Sequence, residues 1–354
     1  MKLVTKYLLS KYLKYFFIIL FSLEIFFIGF DFLQYSDQLP QSANLQLLYI
    51  LYNGFFILTI TLPLSILFGW IVTLTFLIKE NTLVSFYSLG VSKFDILQPI
   101  LIVSIVITSI LIYFQTTPLA YSNENRMKIL KNKFFISEKS NILLKYNNNF
   151  VYFKKLYPLE KKAVDIRIFK IHNNKLEQII KAQKAYYQNN KWYIIDAIIM
   201  TKPKELYWDN SKLDISYEKF LYTLEGFKPD IINNVYKSKV QYSITDAIYT
   251  ILLFQKQEIN TNKIKAILYS KLFVPFFVLP IIILIFLYSS ISNRFFKMGQ
   301  FISLGVFFVL TVWGILYLLQ KIAVANMINA EIALLLPLGL LLSYSLYKMR
   351  MEIN

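Results

Sequence analysis

Two carboxylates stand where carboxylates are costly. Glu24 lies near the middle of a long apolar run, Tyr15 to Phe32, and Asp31 lies near its far end. A carboxylate at mid-bilayer costs about 2.5–3.5 kcal/mol on insertion scales, so it normally faces a protein interior or a wet cavity. Glu24 in such a run either hydrogen-bonds a neighbouring helix or serves a polar ligand. Asp31 is closer to water and easier to hydrate. The matching cations are Arg126, Lys128, Lys131 and Lys133, just beyond a later apolar run. Basic side chains at headgroup height suit phosphate-bearing lipids. A solvated collar in a lysine-rich chain has the same composition.

Other chemistry is excluded by the residues themselves. The 354 residues include no cysteine and one histidine, His172, in a turn-like His-Asn-Asn-Lys context. Thiolate or histidine metal sites and histidine acid–base work have no candidates. No Gly-x-x-x-x-Gly-Lys-Ser/Thr, Gly-x-Ser-x-Gly or His-Glu-x-x-His occurs, so the chain has no phosphate-cradling loop or hydrolase motif of those types. No cofactor, catalytic set or nucleic-acid site is read, and the chain is expected not to be an enzyme.

The remaining candidate is a turn, Lys79 to Lys93, which joins two apolar runs. It has charge at both ends and apolar residues at helical spacing: Leu83, Val84, Phe86, Tyr87, then Leu89 and Val91. Gly90 stands where a short helix should stop, and Ser92 where the next should be capped. Such a helix across the inner face of a membrane is a handle for a soluble motor. An ordinary connector is the alternative.

The elements that position these groups are membrane spans. The chain is 56% hydrophobic, with a mean hydropathy of +0.48, and its apolar residues cluster in runs near the roughly 20 residues a bilayer core requires. After a basic lead-in to Lys14, spans are expected at Tyr15–Phe32, Gly54–Ile78 (kinked or loosened near Pro63) and Ile96–Phe114. Three more follow at Leu272–Ile291, Phe301–Leu319 and Ile332–Tyr347. The first is read as retained, because no small-x-small cleavage site follows closely. The domains are therefore 1–117, a soluble insert 118–271, and 272–354. Lys2, Lys6, Lys11, Lys14, Lys79, Lys93, Arg294, Lys297, Lys348 and Arg350 fall on one side, against Lys321 in the opposite short loops. That bias puts both termini and the 79–93 turn in the cytoplasm and the insert outside.

The insert reads as β structure. Asn141–Tyr157, Ala163–His172, Leu176–Tyr187, Lys191–Met200 and Leu213–Leu224 are β-branched and aromatic runs, punctuated by turns at Asn147-Asn-Asn149, Asn173-Asn174 and Asn189-Asn190. A sandwich or jelly roll is expected. Ser243–Lys256 then reads as a helix returning to the membrane. The insert holds 27 basic and 14 acidic residues.

This layout resembles the permease subunits of the lipopolysaccharide-export ABC transporter, the LptF/LptG family. The resemblance covers nearly the whole chain. It rests on three spans, a β insert and three spans, on Leu62-Pro-Leu-Ser65, and on Thr82-Leu-Val-Ser-Phe-Tyr-Ser-Leu-Gly-Val-Ser-Lys93. The last is similar to the family's Glu-Leu-x-x-x-x-x-x-Gly-x-Ser/Thr coupling segment. Asn149-Phe-Val-Tyr-Phe153, Ile166-Arg-Ile-Phe169 and Lys191-Trp-Tyr193 look more like LptG than LptF. The resemblance implies a polytopic helical protein with a periplasmic β-jellyroll domain in the bacterial inner membrane. It implies a second homologous permease, a cytoplasmic ATPase dimer, a periplasmic bridge protein with a jelly roll, and lipopolysaccharide as cargo. Glu80, Leu83, Val84, Phe86, Tyr87, Leu89 and Gly90 would then couple to the ATPase, and Glu24, Asp31, Gln34, Arg126 and Lys128 would meet lipid. Two departures stand out. Thr82 replaces the family's usual glutamate, leaving Glu80 as the nearest carboxylate. No lysine or arginine occurs between Lys14 and Lys79, and Gln34, Pro40 and Gln41 stand where LptG-type chains carry lysines. The competing readings are a membrane-anchored sensor or assembly factor and a mechanotransmission permease acting on periplasmic proteins.

Overall fold

Helices of 33 and 37 residues open the chain, α1 (Lys2–Gln34) and α2 (Ala43–Lys79). At 1.5 Å per residue each is on the order of 50 Å long, more than the roughly 30 Å hydrocarbon core. The basic lead-in is therefore continuous with the first span. The computed structural model describes residues 2–131, 139–146, 149–157, 160–172, 175–203, 213–227, 241–255 and 260–353. Lys133 and the turns read at Asn147-Asn148 and Asn173-Asn174 lie outside the described residues. Two compact units result, one of residues 1–131, 242–251 and 260–354, the other of 132–241 and 252–259.

The helical unit continues with α3 (Thr82–Ser88), α4 (Lys93–Thr116) and α5 (Ser122–Leu130). After the β insert come α6 (Ile244–Gln255), α7 (Asn262–Leu272), α8 (Val278–Leu287), α9 (Met298–Val324) and α10 (Leu336–Ile353). Among the described residues five helices are long and apolar enough to cross a membrane, and the pair α7 and α8, bent by 46°, makes a sixth if it is one span. The fourth apolar run thus differs from its reading as a plain span at Leu272–Ile291. A 3-10 turn at Val274–Phe277 interrupts it, and Pro275 within that turn has no N–H for an α-helical bond. Helix α2 runs unbroken through Pro63. Membrane helices tolerate such a proline when neighbours re-satisfy the freed backbone.

Close helix approach is local and specific. A Cβ at Gly69 would sit 3.0 Å from the Phe16 Cα, so α1 and α2 touch backbone to backbone there. Buried polar groups cross-link the unit. The Tyr12 hydroxyl lies 3.1 Å from Ser104 Oγ, and Trp70 Nε1 donates to the Ile282 carbonyl at 3.2 Å. One apolar core spans both sequence halves, from Leu8 and Trp70 to Ile282 and Val309.

Among its described residues the other unit is a six-stranded antiparallel sheet: β1 (Lys139–Tyr146), β2 (Asn149–Tyr157), β3 (Lys162–His172), β4 (Lys175–Gln188), β5 (Lys191–Thr201) and β6 (Asp214–Thr223). The run Asn141–Tyr157, expected to be broken by a turn at Asn147-Asn-Asn149, forms the antiparallel pair β1–β2, with Tyr146 opposite Asn149. Strand order equals sequence order, a meander. The crossovers of a jelly roll do not occur among the described strands. Asn189 and Asn190 both have positive φ, 48° and 64°, and close a two-residue hairpin between β4 and β5. One face is packed around Phe153, Trp192 and Phe227, and Trp192 Nε1 donates to the Phe227 carbonyl at 2.7 Å.

Candidate functional site

The 79–93 turn is built by standard terminator chemistry. Helix α2 stops at Lys79, and Asn81 adopts the left-handed region at φ 54°. Helix α3 ends in a Schellman motif: Val91 N–H donates to the Phe86 carbonyl and Gly90 N–H to the Tyr87 carbonyl, both at 3.0 Å. Gly90 carries the φ of +79° that this motif requires. Ser92 and Asp95 then form a reciprocal capping box on α4, with Asp95 N–H donating to Ser92 Oγ and Ser92 N–H to Asp95 Oδ2, each at 3.1 Å.

The apolar residues of this turn divide between two faces. Leu83 and Phe86 are buried in the core, Phe86 edge-on to Tyr7, and Tyr87 packs beside them. Val84 (39% exposed), Leu89 (76%) and, just past the turn, Phe94 (41%) face out. Glu80 pairs with Lys11, Lys93 with Glu352 at 3.0 Å, and Asn293 Nδ2 donates to the Lys79 carbonyl at 3.2 Å. The turn is therefore a knob tied to α1, the 293 loop and α10, with a small apolar tip. Sequence periodicity found the apolar positions. It gave no signal for the clamping partners Lys11, Asn293 and Glu352, which are distant in the chain.

At the other end of α1 and α2 the two carboxylates are both engaged. Glu24 accepts from Thr61 Oγ1. Asp31, read as easy to hydrate, is instead mostly buried: it accepts from the Tyr49 hydroxyl at 2.6 Å and from Arg126 Nη1 at 2.8 Å. Arg126 also donates to Asn53 Oδ1 at 2.6 Å and Asn123 Oδ1 at 2.9 Å, with its guanidinium 4.6 Å from the Phe56 ring centre. Lys128 pairs with Glu124 at 3.1 Å on its own helix, and Gln34 is exposed beyond the cluster. A cavity of about 190 Å³ opens beside the ion pair. Phe27, Phe30, Phe56, Ile57 and Ile60 form its apolar wall, and Asp31, Thr61 and Arg126 its polar edge. This site can hold an apolar chain with an anionic group at its end. Tyr49, Asn53 and Thr61 were not singled out from sequence, although Asn53 and Thr61 are visible as polar breaks in an apolar run. No group of three or more potential metal ligands occurs among the described residues.

A model of the family "Lipopolysaccharide export system permease LptF/LptG" matches residues 6–351. The chain belongs to this family. No curated protein matches it. With helices able to cross a bilayer five or six times and a separate sheet unit, the permease is a multi-pass inner-membrane protein of lipopolysaccharide export. The match does not separate the LptG type from the LptF type.

Proposed function

We propose that the permease is one of two homologous membrane subunits of an ABC exporter, driven by a cytoplasmic ATPase dimer that grips the 79–93 knob. The reading is carried by the exposed apolar tip, Val84 and Leu89, on a turn that is otherwise fixed by a Schellman motif, a capping box and two ion pairs. A rigid apolar knob transmits displacement without deforming. In this reading the spans number three and three, both termini are cytoplasmic, and the sheet unit is periplasmic, as the lysine and arginine distribution indicates. The sheet hands lipopolysaccharide to a periplasmic bridge protein, and the leaning is towards the LptG type.

The cavity beside Arg126 is the cargo's point of entry. An acyl chain lies on Phe27, Phe30 and Ile60, and its burial is worth about 25 cal/mol per Å². A cargo phosphate competes with Asp31 for Arg126, replacing one charge-assisted bond with another. Exposed Gln34 and half-buried Lys128 extend the polar rim in this reading.

The experiment is purification of the tagged membrane complex with ATP hydrolysis measured. Leu89→Asp, at a solvent-facing position, is expected to leave the permease folded while the ATPase no longer co-purifies. Retention of a fully active ATPase by the Val84→Asp, Leu89→Asp double variant would overturn the coupling role. For the cargo site, unchanged lipid-stimulated hydrolysis after Arg126→Ala with Lys128→Ala would overturn the entry role.

A further inference from the structure

The sheet unit buries one face, yet the opposite face is lined with aromatic side chains in register. Tyr157 of β2 pairs with Lys162 of β3, Lys162 with Tyr186 of β4, Tyr186 with Tyr193 of β5, and Tyr193 with Tyr222 of β6. Each of these positions alternates with a neighbour that points into the core: Leu156, Ala163, Ala185, Trp192 and Leu221. The five residues therefore form one straight row on the outer face, across five strands about 4.8 Å apart.

The row is thickened at its β5–β6 end. Phe220 stacks on Tyr193, ring centres 5.4 Å apart at 14°, and the Tyr222 ring lies 5.1 Å from Tyr193. Tyr222 is 63% exposed and Phe220 is exposed beside it. At the other end the Lys162 ammonium sits 5.7 Å from the Tyr157 ring centre. The fold does not need these rings in its core, which is already filled on the opposite face.

We propose that the Tyr157–Lys162–Tyr186–Tyr193–Tyr222 row is a carbohydrate-binding platform that takes pyranose rings of the cargo's sugar portion. The inference rests on the reading of the protein as a lipopolysaccharide exporter. Aromatic faces carry negative quadrupole charge and attract the polarised C–H bonds of a sugar face, while tyrosine keeps a hydroxyl for hydrogen bonds at its wet end. Neighbouring rings one strand spacing apart match successive sugars of an extended oligosaccharide. Lys162 supplies a cation for an acidic or phosphorylated sugar. An acyl chain would be served better by aliphatic side chains than by a row ending in hydroxyls.

The test uses the full-length protein in its purified complex, in nanodiscs so that no sugar-based detergent competes. The probe is the oligosaccharide released from lipopolysaccharide by mild acid, free of acyl chains. Saturation-transfer NMR and calorimetric titration are expected to give saturable binding, at least tenfold weaker for Tyr193→Ala with Tyr222→Ala. Tyr193→Phe keeps the ring and is expected to retain most of the binding. Tyr222→Ala alone, at an exposed position, is expected to weaken binding with an unchanged thermal midpoint. Wild-type protein that binds no oligosaccharide, or a double variant that binds as tightly as wild type, overturns the proposal. So does a row found shielded by a partner protein in the complex. ATP-driven lipopolysaccharide extraction is measured on the same samples. Extraction without oligosaccharide binding overturns the platform alone, and absent extraction overturns the exporter reading.

Discussion

Arg126 is the side chain on which the polar end of the helical unit closes, because it meets Asp31, Asn53 and Asn123 at once. Removing one partner of a largely buried ion pair leaves the other charge uncompensated and costs about 3–5 kcal/mol. Arg126→Ala is therefore expected to destabilise the permease by about 3 kcal/mol, read as a lowered midpoint of thermal unfolding in micelles. Asp31→Asn is expected to lose less, since Arg126 keeps its two asparagine acceptors. Two glycines give a second contrast at this scale. Gly69→Ala drives a methyl against the Phe16 backbone at 3.0 Å, an overpacking cost of about 1–3 kcal/mol. Gly29→Ala in α1 meets nothing within 4 Å and is expected to leave the midpoint unchanged or raised. Equal midpoints for the two variants would contradict the close approach of α1 and α2.

The elements are punctuated by groups whose removal has predictable size. Gly90 has φ +79° with open space around an added Cβ, so Gly90→Ala suffers backbone strain alone, about 1 kcal/mol. Gly90→Asn, which tolerates that region better, is expected to recover part of it. Ser92→Ala removes the capping box and costs about 0.5–2 kcal/mol. Gly90→Ala and Ser92→Ala should each show a looser ATPase grip at permissive temperature if the knob must be rigid, measured as hydrolysis lost at equal expression. The element boundaries were legible in the residues: Gly90 ends α3, Ser92 caps the start of α4, and Asn189-Asn190 turns β4 into β5, as their backbone preferences require. The break between β1 and β2 was legible in Asn147-Asn-Asn149 as well, although Asn149 is itself the first residue of β2. The bend at Val274–Phe277 was missed because apolar composition reports burial, not continuity.

At the scale of the molecule, the entry of α6 into the helical unit sets an alkaline limit. The Tyr121 hydroxyl donates to Asp246, and Ser243 Oγ donates to the same carboxylate at 2.7 Å. Burial, reinforced by that bond, pushes the Tyr121 phenol up to about 12 from its ordinary value near 10. Folding thus favours the neutral phenol. Its contribution is complete below pH 10 and is lost as pH rises from about 10 to 12, because there the unfolded state releases a proton that the folded state keeps. Unfolding curves between pH 9 and about 12 should steepen in wild type and flatten in that window for Tyr121→Phe. An unchanged slope in the variant would mean that the phenol titrates freely.

The residues alone determined that the chain runs through a membrane around a β insert, because twenty-residue apolar runs and alternating β-branched runs are properties of local composition. They also marked Glu24, Asp31, Arg126 and the 79–93 turn as unusual, because charge beside apolar length is visible without a fold. Which groups those residues meet was decided only in three dimensions. Asp31 and Arg126 are 95 positions apart and Lys93 and Glu352 are 259 apart. Within nearly uniform apolar helices no periodicity distinguishes the face that meets a partner from the face that meets lipid. The outward tip of the turn, the cavity beside the ion pair and the tyrosine row are products of helix rotation and strand register, and only the packed chain fixes those.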